Sequence, residues 1–127
     1  MNPSELHYTS SHEWVREDSA DTFTFGITHF AQDALGDIVF VALPRVGATL
    51  SAGESCGEIE STKSVSEIYA PIAGEVVAVN SELETRPETI NASPYSDGWL
   101  VQIRATELSQ VEALLSAADY EALITSA

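Results

Sequence analysis

The stretch that decides the fold runs from residue 57 to residue 69 and reads Gly57-Glu58-Ile59-Glu60-Ser61-Thr62-Lys63-Ser64-Val65-Ser66-Glu67-Ile68-Tyr69. Its two halves match in residue type: Ile59 with Ile68, Glu60 with Glu67 and Ser61 with Ser66. Such matching about the centre Lys63-Ser64 predicts a β-hairpin with the lysine at its tip. Pairing Ile59 opposite Ile68 gives the hairpin one apolar face, which a slip by one residue would destroy.

Lys63 is the only lysine of the chain, which otherwise carries four arginines. A single amine on a turn contributes little to structure and is a good attachment point. It is poorly suited to catalysis, because a Schiff-base lysine must lose its proton and the nearby Glu58, Glu60 and Glu67 favour the ammonium form. We therefore predict that another enzyme acylates Lys63 and that the chain is not itself an enzyme.

The composition is strongly acidic, with 20 acidic against 5 basic residues and a formal net charge of −15 at pH 7. Such a surface repels nucleic-acid phosphates and anionic lipids, so we expect neither nucleic acid nor membrane as a partner. It suits charge-steered association with basic patches on other proteins, and adaptation to a saline cytoplasm would produce the same charge. The length and the apolar fraction of 44% predict one folded domain over residues 1–127.

Several common kinds of site have no support in the sequence. The single cysteine, Cys56, excludes an internal disulfide, and its place in a predicted strand favours a small buried hydrophobe over a reactive thiol. The three histidines lack metal-ligand spacing, and no motif for nucleotide binding or acyl hydrolysis is present. The amino terminus has no recognisable targeting segment and no apolar run is long enough to span a membrane, which predicts a cytoplasmic protein.

The pattern along the chain predicts a mainly β protein with peripheral and C-terminal helices. A strand pair is expected at 12–17 and 22–27, and Thr28 should cap a short helix that ends at Gly36. A capping box over Ser109–Glu112 should begin a helix with Val111, Leu114, Leu115 and Ala118 on one face, and Ser116 should cap a second helix. The remaining predictions are strands at 37–43, 74–80 and 99–104, and an irregular segment with a short helix at 81–98.

The segment Glu60-Ser61-Thr62-Lys63, with Ala70-Pro71-Ile72-Ala73-Gly74-Glu75-Val76, resembles the lipoyl-attachment region of the glycine cleavage system H protein family. The resemblance extends from about residue 8 to the terminal helices, and includes His12-Glu13-Trp14, Leu35-Gly36-Asp37, Ser93-Pro94-Tyr95 and Gly98-Trp99-Leu100. Biotin carriers usually flank the lysine with methionines, and lipoyl domains of 2-oxo acid dehydrogenases with Asp-Lys-Ala. Thr62 and Ser64 flank it here, and neither alternative family explains the His-Glu-Trp and Ser-Pro-Tyr segments.

The resemblance implies a barrel-sandwich hybrid of two small sheets, similar to lipoyl and biotinyl carriers, with lipoate amide-linked to Lys63. In this family the arm carries an aminomethyl group from the pyridoxal-phosphate decarboxylase (P protein) to the tetrahydrofolate-dependent aminomethyltransferase (T protein). The flavin-dependent dihydrolipoyl dehydrogenase (L protein) then reoxidises the arm. A lipoate ligase or a lipoyl- or octanoyltransferase would attach the group. The alternative is an H-like lipoyl relay or a redox-signalling carrier outside glycine cleavage.

The resemblance also assigns roles around the lysine. It implies that Glu60 and Gly74 help the lipoylating enzymes to recognise the hairpin. Ser11, Glu13 and Glu67 map to the cleft in which the loaded arm lies, where a carboxylate can pair with the aminomethyl ammonium.

The chain departs from the family pattern at several positions. Ser64 stands where alanine is common after the lysine, and Glu67 stands where many members have aspartate, so its carboxylate lies one methylene further out. Ala34 replaces a frequent histidine, and this loss is expected to change how the arm docks. Thr28-His29-Phe30 stands where Thr-(Asp/Glu)-His is frequent.

Overall fold

The computed structural model describes residues 3–125, which form two antiparallel β-sheets with short helices. The larger sheet has the strand order β1-β2-β3-β9-β8-β5 and the smaller has β4-β6-β7. Within these residues no helix is both long and apolar enough to cross a membrane. The strands are β1 (His7–Tyr8), β2 (Glu13–Glu17), β3 (Thr22–Ile27), β4 (Ile38–Ala42), β5 (Thr49–Leu50), β6 (Ser55–Ser61), β7 (Val65–Tyr69), β8 (Gly74–Val79) and β9 (Val101–Ala105). The helices are α1 (His29–Leu35), α2 (Thr89–Ala92), α3 (Ser109–Glu112) and α4 (Ala117–Thr125), with a 3-10 turn at Ser81–Glu84.

The strand pair and the helix predicted at the start of the chain are present. β2 pairs antiparallel with β3, with Glu13 opposite Ile27. Helix α1 follows at once and leads from the larger sheet to the smaller one. The Thr28 hydroxyl accepts the N–H of Ala31 at 3.2 Å at its start, and Gly36, at φ +83°, ends it. Both ends were predictable because a capping hydroxyl and a left-handed glycine act locally.

Two apolar clusters hold these elements together. The larger cluster contains buried side chains from both sheets, among them Val15, Phe25, Ile59 and Ile103. The smaller cluster is formed by Leu6, Tyr8, Trp14 and Tyr120, so it joins the start of the chain to α4. Alternation along β2 separates the two clusters, since successive strand residues point to opposite faces.

Trp14 links two segments that are far apart in sequence. Its indole ring covers Gly26 so closely that a Cβ at that position would lie 2.8 Å from the ring. The indole N–H donates a hydrogen bond of 2.9 Å to the carbonyl of Pro94. The ring centroid of Tyr95 lies 6.2 Å from that of Trp14. The His-Glu-Trp and Ser-Pro-Tyr segments are therefore two sides of one buried contact.

The lysine hairpin is present, but its predicted register is wrong by two residues. β6 and β7 pair with Ile59 opposite Ser66, so Ile59 does not face Ile68. Because the shift is an even number, both isoleucines keep the same face and both are buried. The like-charge pair across the hairpin is Glu58 with Glu67, and Glu60 lies opposite Val65.

The chemistry of the turn explains this register. The N–H of Ser61 donates to the carbonyl of Ser64 at 2.8 Å. The Ser61 hydroxyl accepts the N–H groups of Lys63 and Ser64, each at 3.1 Å. A serine that binds the backbone two and three residues ahead is a common turn element. The centre of the turn is therefore Thr62-Lys63, and not the predicted Lys63-Ser64.

The predicted capping box at Ser109–Glu112 is not formed. Helix α3 is a single turn whose N-cap, Leu108, makes no side-chain hydrogen bond. The chain leaves the helix because Leu115 exchanges two backbone hydrogen bonds with Tyr8, at 2.7 and 2.8 Å. The four apolar residues assigned to one helix face consequently do not share one. The predicted cap of α4 is confirmed, since the hydroxyl of Ser116 accepts the N–H of Asp119 at 3.1 Å.

We expect Trp14→Phe to lower the free energy of unfolding by about 1–3 kcal/mol, because the buried Pro94 carbonyl loses its only side-chain donor in this contact. Urea unfolding followed by circular dichroism measures the change. Trp99→Phe is the matched control, because Trp99 is only half-buried beside the same cluster. Equal losses for the two variants would contradict the role assigned to Trp14.

Candidate functional site

Lys63 is exposed at the tip of the hairpin, and the tip is held against the end of α1. The N–H of Thr62 donates to the carbonyl of Asp37 at 3.0 Å. The lysine side chain lies over Gly36, where a Cβ would be 3.1 Å from Lys63 Cε and 3.7 Å from Nζ. Gly36 thus serves twice, because its left-handed backbone ends α1 and its missing side chain leaves room for the lysine.

A cleft of about 400 Å³ opens beside the hairpin. Phe30, Leu35 and Ile59 are among its apolar lining residues, and Ser64, next to the lysine, brings the cleft to the tip of the hairpin. Its polar lining includes Ser11, His12, Glu13 and Glu67. The structure therefore brings together Ser11, Glu13 and Glu67, the three residues inferred for the cleft. Ala34, which stands where a histidine is frequent in the family, also lines the cleft.

Glu13 is the buried carboxyl group of the cleft, with 2% of its surface exposed. Burial raises the pKa of Glu13 to about 7, and hydrogen bonds from the Thr9 side chain and the Tyr69 backbone offset part of this rise. The Thr9 hydroxyl donates to Glu13 Oε1 at 2.5 Å. Near neutral pH such a group is poised between its neutral and ionised forms, so a cation entering the cleft would favour the carboxylate.

Glu67 provides a second carboxyl group in a different environment. It is exposed on β7, opposite Glu58, and the hydroxyl of Ser55 donates a hydrogen bond to it. An exposed carboxylate interacts with a cation through water and is screened by salt. Glu13 and Glu67 therefore offer a buried and an exposed partner along one cleft.

Cys56 packs against the larger apolar cluster and is half-buried. Burial, with smaller contributions from the nearby Glu13 and Glu54 carboxylates, raises the pKa of its thiol to about 12. The thiol therefore stays protonated near neutral pH, in agreement with the predicted packing role.

The comparisons with known proteins cover nearly the whole chain. The family described as "Glycine cleavage H-protein" matches residues 6–127. The chain is 56% identical over 122 residues to the glycine cleavage system H protein of Klebsiella pneumoniae, covering 96% of this chain and 95% of that protein. It is 58% identical over 118 residues to the one from Pseudoalteromonas translucida, covering 93% and 92% of the two chains. The chain belongs to the glycine cleavage H-protein family.

The fold agrees with this membership. The crystal structure of a glycine cleavage system H protein from Mycobacterium marinum superposes with a TM-score of 0.88 at 44% identity, covering 97% of this chain and 98% of that one. The predicted barrel-sandwich hybrid is therefore confirmed. Its two sheets are separate and are not joined into a closed barrel in residues 3–125.

The structure gives Asn91 a position that the sequence did not reveal. Its Oδ1 accepts the N–H of Ile38 at 2.9 Å. Its amide nitrogen donates to Gln32 Oε1 and to the carbonyl of Gly36, both at 2.9 Å. Asn91 thus fixes the corner between α1 and β4 over which Lys63 lies. The sequence signal was only an asparagine in an irregular segment, which says nothing about its distant partners.

The two residues inferred for recognition in H proteins have different surroundings. Glu60 is half-buried on the hairpin, in one cross-strand row with Phe40 and Val65, which are 49% and 59% exposed. Gly74 is buried in the other sheet, where a Cβ would lie 2.2 Å from the carbonyl oxygen of Arg104. Close packing of β8 on β9 is therefore enough to require glycine at position 74, whatever role it has in recognition.

The raised pKa of Glu13 predicts how stability depends on pH. Between its ordinary value of 4.5 and about 7, the folded chain keeps a proton that the unfolded chain has released. Stability from this group is therefore lost as the pH rises through that window, by at most about 1.4 kcal/mol per pH unit, and is constant above it. Glu13→Gln should remove this slope.

The test is the difference in unfolding free energy between parent and Glu13→Gln, measured with urea from pH 5 to pH 8. We expect the parent to lose stability relative to the variant up to about pH 7, after which the difference stays level. Parallel curves over the whole range would show that the carboxyl group titrates as an ordinary exposed one.

Proposed function

We propose that this chain is the lipoylated carrier of the glycine cleavage system, with lipoate amide-linked to Lys63. The observation that carries the proposal is the position of the only lysine, exposed at a hairpin tip beside a cleft lined by Ser11, Glu13 and Glu67. Similarity to H proteins over nearly the whole chain favours this role over a lipoyl relay or redox-signalling carrier.

The residues present suit a lipoyl arm. Lys63 is exposed to an acylating enzyme, and Gly36 leaves space for its side chain. The cleft combines an apolar lining at Phe30 and Leu35, suited to a hydrocarbon chain, with polar groups at Ser11 and Glu13. Held by Lys63 and the cleft, lipoate would supply a dithiolane able to carry an aminomethyl group between the P and T proteins and to be reoxidised by the L protein.

Within this proposal Glu13 holds the positive charge that the arm carries. The group is nearly sealed from solvent, so an ammonium–carboxylate pair formed there is stronger than the same pair in water. The apolar side chains around it keep water from the bound end of the arm. Glu67, at the exposed side of the cleft, supplies a second carboxylate, whose pairing with a cation is weaker because it is hydrated. The Ser11 hydroxyl can donate or accept a hydrogen bond with the bound group.

The proposed partners are the P, T and L proteins and a lipoate ligase or a lipoyl- or octanoyltransferase. The net charge of −15 favours surfaces rich in arginine and lysine on those proteins. Phe40 and Val65 flank Glu60 in one cross-strand row. Because Val65 lies two positions after Lys63, an enzyme acting on the lysine would cover this row. The chain itself acts as a carrier subunit, and we place it in the bacterial cytoplasm.

Lys63→Arg tests the attachment site. Co-expression of the parent with a lipoate ligase should add one lipoyl mass to the intact protein, and the variant should gain none. Arginine keeps the charge and cannot be acylated in this way, so the fold is expected to survive. Mass spectrometry of the intact protein and of its peptides is the measurement. A lipoyl mass on the amino terminus, or on the Lys63→Arg variant, would contradict the assignment.

Glu60→Ala tests recognition by the lipoylating enzyme. We expect slower lipoylation of the variant, with a change in unfolding free energy of no more than about 0.5 kcal/mol, because Glu60 makes no ion pair within residues 3–125. Glu112→Ala, in α3, makes the same change in charge outside the cleft and should be lipoylated at the parent's rate. A large loss of stability in Glu60→Ala would identify Glu60 as structural, and equal slowing in both variants would point to net charge alone.

A further inference from the structure

His12 lines the cleft beside Ser11 and Glu13. Its Nδ1 lies 2.7 Å from the hydroxyl of Tyr120, and that hydroxyl lies 2.7 Å from Thr28 Oγ1. Tyr120 is fully buried in the C-terminal helix α4, where its ring stacks on Tyr8 at 4.8 Å and 6°. A chain of hydrogen bonds therefore runs from the N-cap of α1 through the C-terminal helix to a side chain of the cleft.

Thr28 decides the direction of this chain. Its Oγ1 already accepts the N–H of Ala31 as the cap of α1, and the residue is fully buried. If Tyr120 donated to Thr28, the threonine hydroxyl would accept twice, and its own hydrogen would have no acceptor among residues 3–125. A buried hydroxyl hydrogen without a partner is costly. Thr28 therefore donates to Tyr120. By the same argument Tyr120 donates to His12 Nδ1, because a hydrogen on Nδ1 would leave the buried Tyr120 hydroxyl hydrogen without an acceptor among residues 3–125.

This direction fixes the proton of the imidazole. A neutral ring whose Nδ1 accepts a hydrogen bond carries its hydrogen on Nε2. Burial lowers the pKa of His12, which keeps the ring neutral near pH 7, and burial raises the pKa of Tyr120 to about 12, which keeps the phenol a donor. The stacking of the His12 ring on Phe30, with 4.8 Å between the ring centroids, helps to hold the ring in place.

We propose that His12 offers an Nε2–H hydrogen-bond donor to the group attached to Lys63, and that Tyr120 is the positioning residue that fixes this tautomer. The contact, though not the tautomer, rests on the proposed function. Glu13 and Glu67 are acceptors suited to a cation, whereas His12 supplies a neutral donor in the same cleft. Such a donor suits an acceptor atom of the arm, which is either its amide oxygen or a sulfur.

The tautomer is tested on unmodified protein by NMR of ¹⁵N-labelled histidine side chains. We expect His12 to show a protonated Nε2 and an unprotonated Nδ1, and the opposite tautomer would overturn the proposal. In Tyr120→Phe, which keeps the ring stacked on Tyr8, both His12 nitrogen resonances should shift toward a mixture of tautomers. His29 is the internal control, because its Nδ1 pairs with Gln32 at 3.0 Å and should not move. The parent spectrum decides even if the variant fails to fold.

The contact is tested by the His12 Nε2–H resonance in three forms of the protein: unmodified, octanoyl-Lys63 and lipoyl-Lys63. A shift in both acylated forms identifies the amide oxygen as the acceptor, because octanoate has no sulfur, and a shift with lipoate alone identifies a sulfur. An unchanged resonance in both acylated forms would refute the contact. Failure of Lys63 to be acylated at all would instead contradict the proposed function. The tautomer would still be decided by the spectrum of the unmodified protein.

Discussion

The hydrogen bond from the Thr62 N–H to the Asp37 carbonyl, 3.0 Å long, is the constraint on which the site depends. It ties the hairpin of the smaller sheet to the end of α1, the helix that joins the two sheets. The lysine side chain then meets Gly36, and the cleft opens alongside. Asn91 holds the corner between α1 and β4 by three hydrogen bonds. In the proposed carrier, the lipoyl arm would therefore be attached to a rigid point, which is what precise delivery to several partners requires.

Charge is distributed in this chain according to two different needs. The surface carries the acidic excess, which acts over a distance but is screened by salt. Glu13, in contrast, is buried, and its charge depends on what enters the cleft. In the proposed carrier, the same residue type would therefore attract partners on the outside and bind cargo on the inside. Glu67 combines features of the surface acids and of Glu13, since it is exposed to water and also lines the cleft.

Features that depend on local chemistry were predictable from the sequence, as the two ends of α1 at Thr28 and Gly36 show. The hairpin was predictable as an element, but its register was not. The hydrogen bonds of the Ser61 hydroxyl centre the turn on Thr62-Lys63, whereas the matching residue types predict a centre one residue later. The prediction that one helix continues from Ser109 through Ala118 was wrong, because Leu115 pairs with Tyr8 at the start of the chain, and this contact is long-range. The three cleft residues were reached only through the family resemblance, and the part played by Tyr120 was missed, since periodicity cannot name the partner of a helix.

The position of Trp14 has a consequence for how the protein can be observed. Glu13 and Trp14 are neighbours on β2 and so point to opposite faces, one into the cleft and the other into the smaller apolar cluster. The only other tryptophan, Trp99, packs on that cluster too. Neither indole is among the side chains that line the cleft, so we expect the intrinsic fluorescence to follow the integrity of the fold and to change little when the cleft is occupied. One optical signal can compare the stability of the chain across all states of Lys63.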